Sequence, residues 1–312
     1  MKHSLQVTLI LVGMFLGAQI IGLLVTNQYI EQREITETGE INITYKGLPS
    51  IAGVEMERPK IEPSKSIWLI ATAILIGTVL LLLLIRMKHE VLWRAWFFLA
   101  VAICLTISFG AFISSSLAFI LGFILAYLKI FKPSLVIQNF TELFVYGGLA
   151  AIFVPILNLK SVFWLLLFIS IYDMYAVWKS KHMIKLAKFQ TKAKIFAGML
   201  IPYKMPKMKD IKPTKKKAKN AAKKVMKTIK VKTAVLGGGD VGFPLLFAGV
   251  IMGQYGLLKA MIIPPFVAFA LLLLLMKGKK NKFYPAMPFL SIGCLVGFAV
   301  LMILEKIIIP LL

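Results

Sequence analysis

Residues 161–178, SVFWLLLFISIYDMYAVW, and residues 233–253, TAVLGGGDVGFPLLFAGVIMG, each carry one aspartate in an otherwise apolar stretch. Read as helices, both stretches are long enough to cross about 30 Å of hydrocarbon. A charged side chain at mid-bilayer costs about 2.5–3.5 kcal/mol on insertion scales. Asp173 and Asp240 therefore mark functional positions, and the rest of the chain is organised around them.

Outward from these stretches, the chain has 312 residues, of which 59% are hydrophobic and 16% charged, well below the charge of a soluble domain. The composition predicts an all-α polytopic membrane protein. Nine spans are expected, at about 4–26, 66–85, 91–111, 113–128, 134–157, 161–178, 233–253, 257–276 and 286–309. The first lacks a small-x-small cleavage site before Asn27 and reads as a retained helix rather than a signal peptide. Ser114-Ser115-Ser116 marks a tight turn between the third and fourth spans.

The net charge of +24 would suggest nucleic acid in a soluble protein, but here the basic residues concentrate in particular loops. With the N-terminus cytoplasmic, the cytoplasmic side holds Lys2, Arg86, Lys88, Arg94, Lys129, Lys132, nineteen lysines from Lys179 to Lys232, and Lys277, Lys279, Lys280 and Lys282. That is 29 of the 37 basic residues, which predicts an N-terminus inside and a C-terminus on the opposite side. Residues 27–65 form a polar outer loop with seven glutamates against five basic residues. Three parts follow: 1–179 with six helices, a lysine-rich cytoplasmic loop at 180–232, and 233–312 with three helices. The loop has no aromatics interleaved with its lysine-rich tail, so attraction to anionic lipids is expected and nucleic-acid binding is not. Cys104 and Cys294 both lie in apolar stretches, without metal-ligand spacing, and His3, His89 and His182 flank spans as headgroup-level side chains.

Counted as helices at 1.5 Å per residue, Asp173 before Lys179 and Asp240 after Thr233 both fall about 9–11 Å inside the cytoplasmic end of their spans. Two carboxyl groups at one depth, a few ångströms apart in a low dielectric, share a proton. Such a pair suits peptide hydrolysis: one member deprotonates water while the other polarises the scissile carbonyl. It equally suits a transporter or ion-leak channel that uses the acids as proton or cation sites. Gly237-Gly238-Gly239 before Asp240, and Pro244 after it, weaken the helix and allow close backbone approach, which suits a site that holds an extended peptide and equally suits tight helix packing.

At these residues the chain resembles the presenilin and signal peptide peptidase family of intramembrane aspartyl proteases. Tyr172-Asp173 matches the family's YD motif in the sixth span, Gly237-Gly238-Gly239-Asp240 its GxGD motif in the seventh, and Pro285-Ala286-Met287 its PAL motif at the start of the ninth. Met287 replaces leucine with a similar apolar volume. Val241-Gly242 after Asp240 departs from the GxGDxK of prepilin peptidases. The inside N-terminus is similar to presenilin, most like a microbial homologue, and opposite to signal peptide peptidase. The resemblance implies a multi-pass protein of the cell membrane if prokaryotic, with Asp173 and Asp240 as the catalytic pair and no metal or organic cofactor. It implies that Tyr172, Gly237, Gly238, Gly239, Pro285, Ala286, Met287 and Pro288 bind substrate, with the proline segment non-helical until after 288. Its partners would be transmembrane proteins or signal peptides as substrates; accessory subunits and oligomeric state are not implied. Lys282 and the small-residue pairs Gly147-Gly148, Gly249 with Gly253, and Gly293 with Gly297 read as a solvated cation and as helix-packing contacts. Glu142, near Gln138, Asn139 and Thr141, matches no family motif and is expected to bond between helices.

Overall fold

Polar residues at the edges of the apolar runs start the helices. Ser134 accepts from the Ile137 amide at 3.2 Å, and Asn158 from the Ser161 amide at 2.7 Å. Each side chain satisfies an amide that a helix start leaves without a partner. The computed structural model describes residues 4–35, 41–50, 54–59, 61–87, 90–180, 196–202, 233–278 and 284–308. In order these form α1 (Leu5–Gln28), the hairpin β1 (Ile30–Ile35) and β2 (Ile41–Tyr45), α2 (Pro63–Met87), α3 (Glu90–Gly110), α4 (Ser115–Phe131) and α5 (Leu135–Phe153). A short 3-10 turn leads into α6 (Leu159–Met174), which ends in a π turn over Tyr175–Lys179. Then come β3 (Gly198–Pro202), β4 (Thr233–Gly237), α7 (Gly238–Tyr255), the single turn α8 (Leu257–Ala260), α9 (Ile263–Lys277) and α10 (Met287–Ile308).

Among the described residues, seven helical runs are long and apolar enough to cross a membrane: Leu5–Gln28, Lys65–Leu84, Val91–Gly110, Leu135–Ile156, Leu159–Lys179, Leu257–Lys277 and Met287–Ile307. α4 is apolar but only 17 residues long. α7 is not among the seven, because five glycines, Asp240, Pro244 and Gln254 dilute its apolar run. It does not need lipid on any side. From Val241 to Gly253 every residue except Phe243 is buried, and α1, α5, α6, α9 and α10 pack around it. The helix that carries Asp240 is thus the axis of the bundle, shielded by more apolar neighbours.

Close helix approach depends on the small residues. A Cβ at Gly148 would overlap the Cys104 carbonyl of α3, and one at Gly293 would lie 2.9 Å from Val267 Cα of α9. At one end of the bundle, Arg58 clasps the polar segment between α1 and α2, donating to the Lys46 carbonyl at 2.6 Å and the Ala151 carbonyl at 3.1 Å. Its guanidinium lies 5.6 Å from the Tyr29 ring and 5.8 Å from the Tyr45 ring. Burial pushes both phenols up to about 12, against the pull of Arg58. A cavity of about 700 Å³ opens beside Arg58, lined also by Tyr45, Pro155 and Ile156, at the far end of α6 from Asp173.

Three expectations are corrected. The segment 233–253 is not one helix: Thr233–Gly237 is a strand, antiparallel to Gly198–Pro202 with Leu200 opposite Val235, and the helix begins at Gly238. Thr233 and Val235 favour extended backbone, successive glycines resist helix, and β3 supplies the ladder. The depth of Asp240 measured along a helix from Thr233 therefore does not hold. Secondly, α10 starts at Met287 rather than after Pro288, since proline in the first helical turn loses no intrahelical bond. Thirdly, Lys129 does not lie in a segment beyond the fourth span: it belongs to the last turn of α4, only 3% of it is exposed, and it is paired with Glu142. Lys282, the three histidines and the lysine-rich run 203–232 lie outside the described residues.

Candidate active site

Asp173 lies one residue from the C-terminal end of α6, buried and 6% exposed. Its Oδ2 accepts from the Met287 amide at 3.1 Å, and the Ala286 amide donates to it as well. Both donors belong to the start of α10, where the first amides have no intrahelical partner and the helix dipole favours a carboxylate. One turn away, Ser170 Oγ and Ser291 Oγ lie 2.9 Å apart and tie the same two helices together. The backbone of Ala286 and Met287 is thus a cradle for Asp173.

Asp240 sits in the first turn of α7, where β4 becomes helix. The Gly237 amide donates to its carboxyl group, and the Asp173 carboxyl lies within electrostatic reach. A Cβ at Gly237 would stand 3.3 Å from Asp240 Oδ2, so glycine keeps the strand end clear beside the acid. On the other side of α7, Gln19 of α1 donates to the Val241 carbonyl at 2.7 Å. Two acids from different helices are therefore brought together, each held by main-chain donors.

The strand before Asp240 is anchored through α5. The Asn139 amide donates to the Leu200 carbonyl at 2.8 Å and accepts from the Leu200 amide at 2.9 Å. Gln138 Nε2 donates to the carbonyls of Phe196 and Gly198, both at 2.8 Å, and to Glu142 Oε1 at 3.1 Å. Glu142 also takes a salt bridge from Lys129 at 2.5 Å and a hydrogen bond from the Tyr146 hydroxyl. The Tyr146 phenol in turn lies within electrostatic reach of Asp240, and a Cβ at Gly238 would meet its hydroxyl at 3.0 Å. The polar chain Lys129–Glu142–Tyr146 so ends beside the turn that carries Asp240.

Of the residues singled out in the sequence, Asp173, Asp240, Gly237, Ala286 and Met287 meet at one place, with Pro285 buried beside them. Tyr172 turns elsewhere: its hydroxyl lies 2.8 Å from Thr78 Oγ1 of α2, and its ring stacks on Phe168. Gly238 faces Tyr146 rather than the acids, Gly239 is exposed, and Pro288 serves the first turn of α10. Of the contributors Gln19, Lys129, Gln138, Asn139 and Tyr146, the sequence reading named Gln138 and Asn139 only as polar neighbours of Glu142 and Lys129 only as a cytoplasmic cation, and none as part of the site. Four of these are polar or charged groups within or bordering apolar runs, the same signal that exposed the aspartates, whereas nothing in the sequence marks Tyr146.

The sequence model of the family described as signal-peptide peptidase, presenilin aspartyl protease matches residues 49–307. Two solved structures of a presenilin family intramembrane aspartate protease have the same fold. One, in space group P2, is 19% identical with a TM-score of 0.58, covering 96% of this chain and 98% of its own. The other, in space group C222, is 16% identical with a TM-score of 0.55, covering 93% and 94%. No curated protein sequence matches the chain. With a family match over most of its length and helices long and apolar enough for repeated membrane crossing, the chain belongs to the signal-peptide peptidase and presenilin family of intramembrane aspartyl proteases.

Proposed function

We propose that Asp173 and Asp240 are the catalytic pair of an endopeptidase that cuts transmembrane helices of other membrane proteins, or signal peptides, near their cytoplasmic ends. The observation that carries this is the meeting of two acids from α6 and α7, each held by backbone amides, within electrostatic reach of each other. With one proton between them, the ionised carboxylate takes a proton from water as the water oxygen bonds to the scissile carbonyl carbon. The protonated partner donates to the scissile carbonyl oxygen as the tetrahedral adduct forms. On collapse the C–N bond breaks and the amine leaves with a proton returned from the pair.

An intact substrate helix hides its carbonyls, so the peptide must be held extended. β4 offers the means. Leu200 spends its amide and carbonyl on Asn139, so Leu200 and Val235 are the non-hydrogen-bonded pair of the ladder, and the Val235 amide and carbonyl point away from β3. The Gly237 amide has the same parity and points to Asp240. An unfolded substrate segment pairing with Val235 would run along the same edge towards the acids, about 7 Å further on. Pro285, Ala286 and Met287 would line the opposite wall. The membrane arrangement is nine spans with the N-terminus inside, and the lysine-rich segment between the sixth and seventh spans faces anionic lipid.

Purified protein in liposomes with a tagged single-span substrate is expected to yield two fragments. No fragments, together with cation flux that depends on Asp240, would favour transport instead. Val235→Pro removes the outward amide at a position where the resting sheet does not use it. Cleavage is expected to fall about tenfold with little change in thermal stability, as for one lost hydrogen bond to substrate. Unchanged cleavage kinetics would show that the substrate does not pair there.

A further inference from the structure

We propose that Gln138 and Asn139 are positioning residues that close the outer edge of β3, so that only the β4 edge beside Asp240 is left to pair with an extended substrate. The inference rests on the proteolytic reading above. Asn139 makes to Leu200 the same two bonds, one given and one taken, that a residue of a neighbouring antiparallel strand would make. Gln138 spends its two amide hydrogens on three acceptors, the carbonyls of Phe196 and Gly198 and Glu142 Oε1. Among the described residues, three successive outward backbone groups of β3 are thus occupied by side chains of α5.

Two consequences follow from sheet geometry. A peptide paired on the β3 edge instead would lie about 14 Å, three strand spacings, from the track next to Asp240. A slip of β3 by one residue would turn the Leu200 amide and carbonyl towards β4 and break both bonds to Asn139, so the clamp also pins the register of the strand that opens into the Asp240 turn. Glu142 holds Gln138 in place, and the buried Lys129 neutralises Glu142. That gives the polar cluster QNFTE on α5 a role that packing alone does not require.

The test uses the full chain in liposomes, with Asn139→Leu and Gln138→Met. The products from a tagged transmembrane substrate are mapped by mass spectrometry, and hydrogen exchange is followed at residues 198–202. Expected are at least tenfold faster exchange at Leu200, a several-fold loss of kcat, and cuts that spread from the wild-type bond to its neighbours. Asn139→Ser, whose hydroxyl reaches at most one of the two Leu200 groups, decides the matter if Asn139→Leu does not fold. Folded variants with wild-type exchange at Leu200 overturn the clamp. So does loss of activity with an unchanged cut site, which marks a structural role alone. A wild-type protein that makes no cut defeats the proteolytic reading, while exchange at Leu200 still judges the clamp.

Discussion

Asp240→Asn and Asp173→Asn, made separately, are each expected to abolish cleavage of a transmembrane substrate, with kcat down by about three orders of magnitude or more. Asparagine keeps the size of the side chain and can still accept at its carbonyl oxygen. The Met287 and Ala286 amides at Asp173, and the Gly237 amide at Asp240, therefore retain an acceptor. What is lost is the ability to exchange a proton with water or with the scissile carbonyl. In the proposed mechanism the two acids work as one unit, so the double variant is expected to be no slower than either single one. Gel and mass analysis of the fragments, with thermal unfolding measured alongside, checks this. Cleavage that persists in either single variant removes that residue from the chemistry.

The second large effect concerns stability. Lys129 and Glu142 form a salt bridge at 2.5 Å with side-chain exposures of 1% and 3%. Lys129→Met leaves Glu142 buried with no cation against it, and the loss is expected to be about 3–5 kcal/mol. Lys129→Met with Glu142→Gln removes both charges, while the introduced amide can still bond Gln138 and Tyr146, so most of the loss should be recovered. Thermal unfolding of the two single variants and the double variant in one detergent gives the coupling energy. A Lys129→Met protein as stable as wild type would show that the pair is solvated in the folded protein. The single variant should also lose cleavage at temperatures where it is still folded, because Glu142 holds both Gln138 and Tyr146.

Membrane character and the two acids were legible in the linear chain, because hydrocarbon penalises polar groups so heavily that each exception stands out. The same rule marked Glu142 and its polar neighbours, yet it could not say that Lys129, one helix earlier, is their counter-ion. A lysine at a helix end reads as a loop cation until the packing of α4 on α5 turns it inward. Tyr172, adjacent to Asp173, reads in the sequence as part of the site. Neighbours in a helix point about 100° apart, however, and its hydroxyl reaches Thr78 on α2.

The strand Thr233–Gly237 shows the limit most plainly. Its residues lie in an apolar run that continues into α7, and nothing local announces the pairing with Gly198–Pro202, since a two-stranded ladder needs a partner from a distant part of the chain. By itself, then, the sequence determined that the chain lives in the bilayer, which two carboxyl groups stand out in its apolar stretches, and which glycine and proline segments accompany them. Only the tertiary structure decided how those groups are held. Asp173 rests on the amides of Ala286 and Met287, 113 and 114 positions away, and Asp240 sits at the end of a strand anchored by α5. Hydrophobic periodicity records what each residue must avoid, namely lipid or water. Hydrogen bonds between distant segments depend on where the folded helices place their backbone groups.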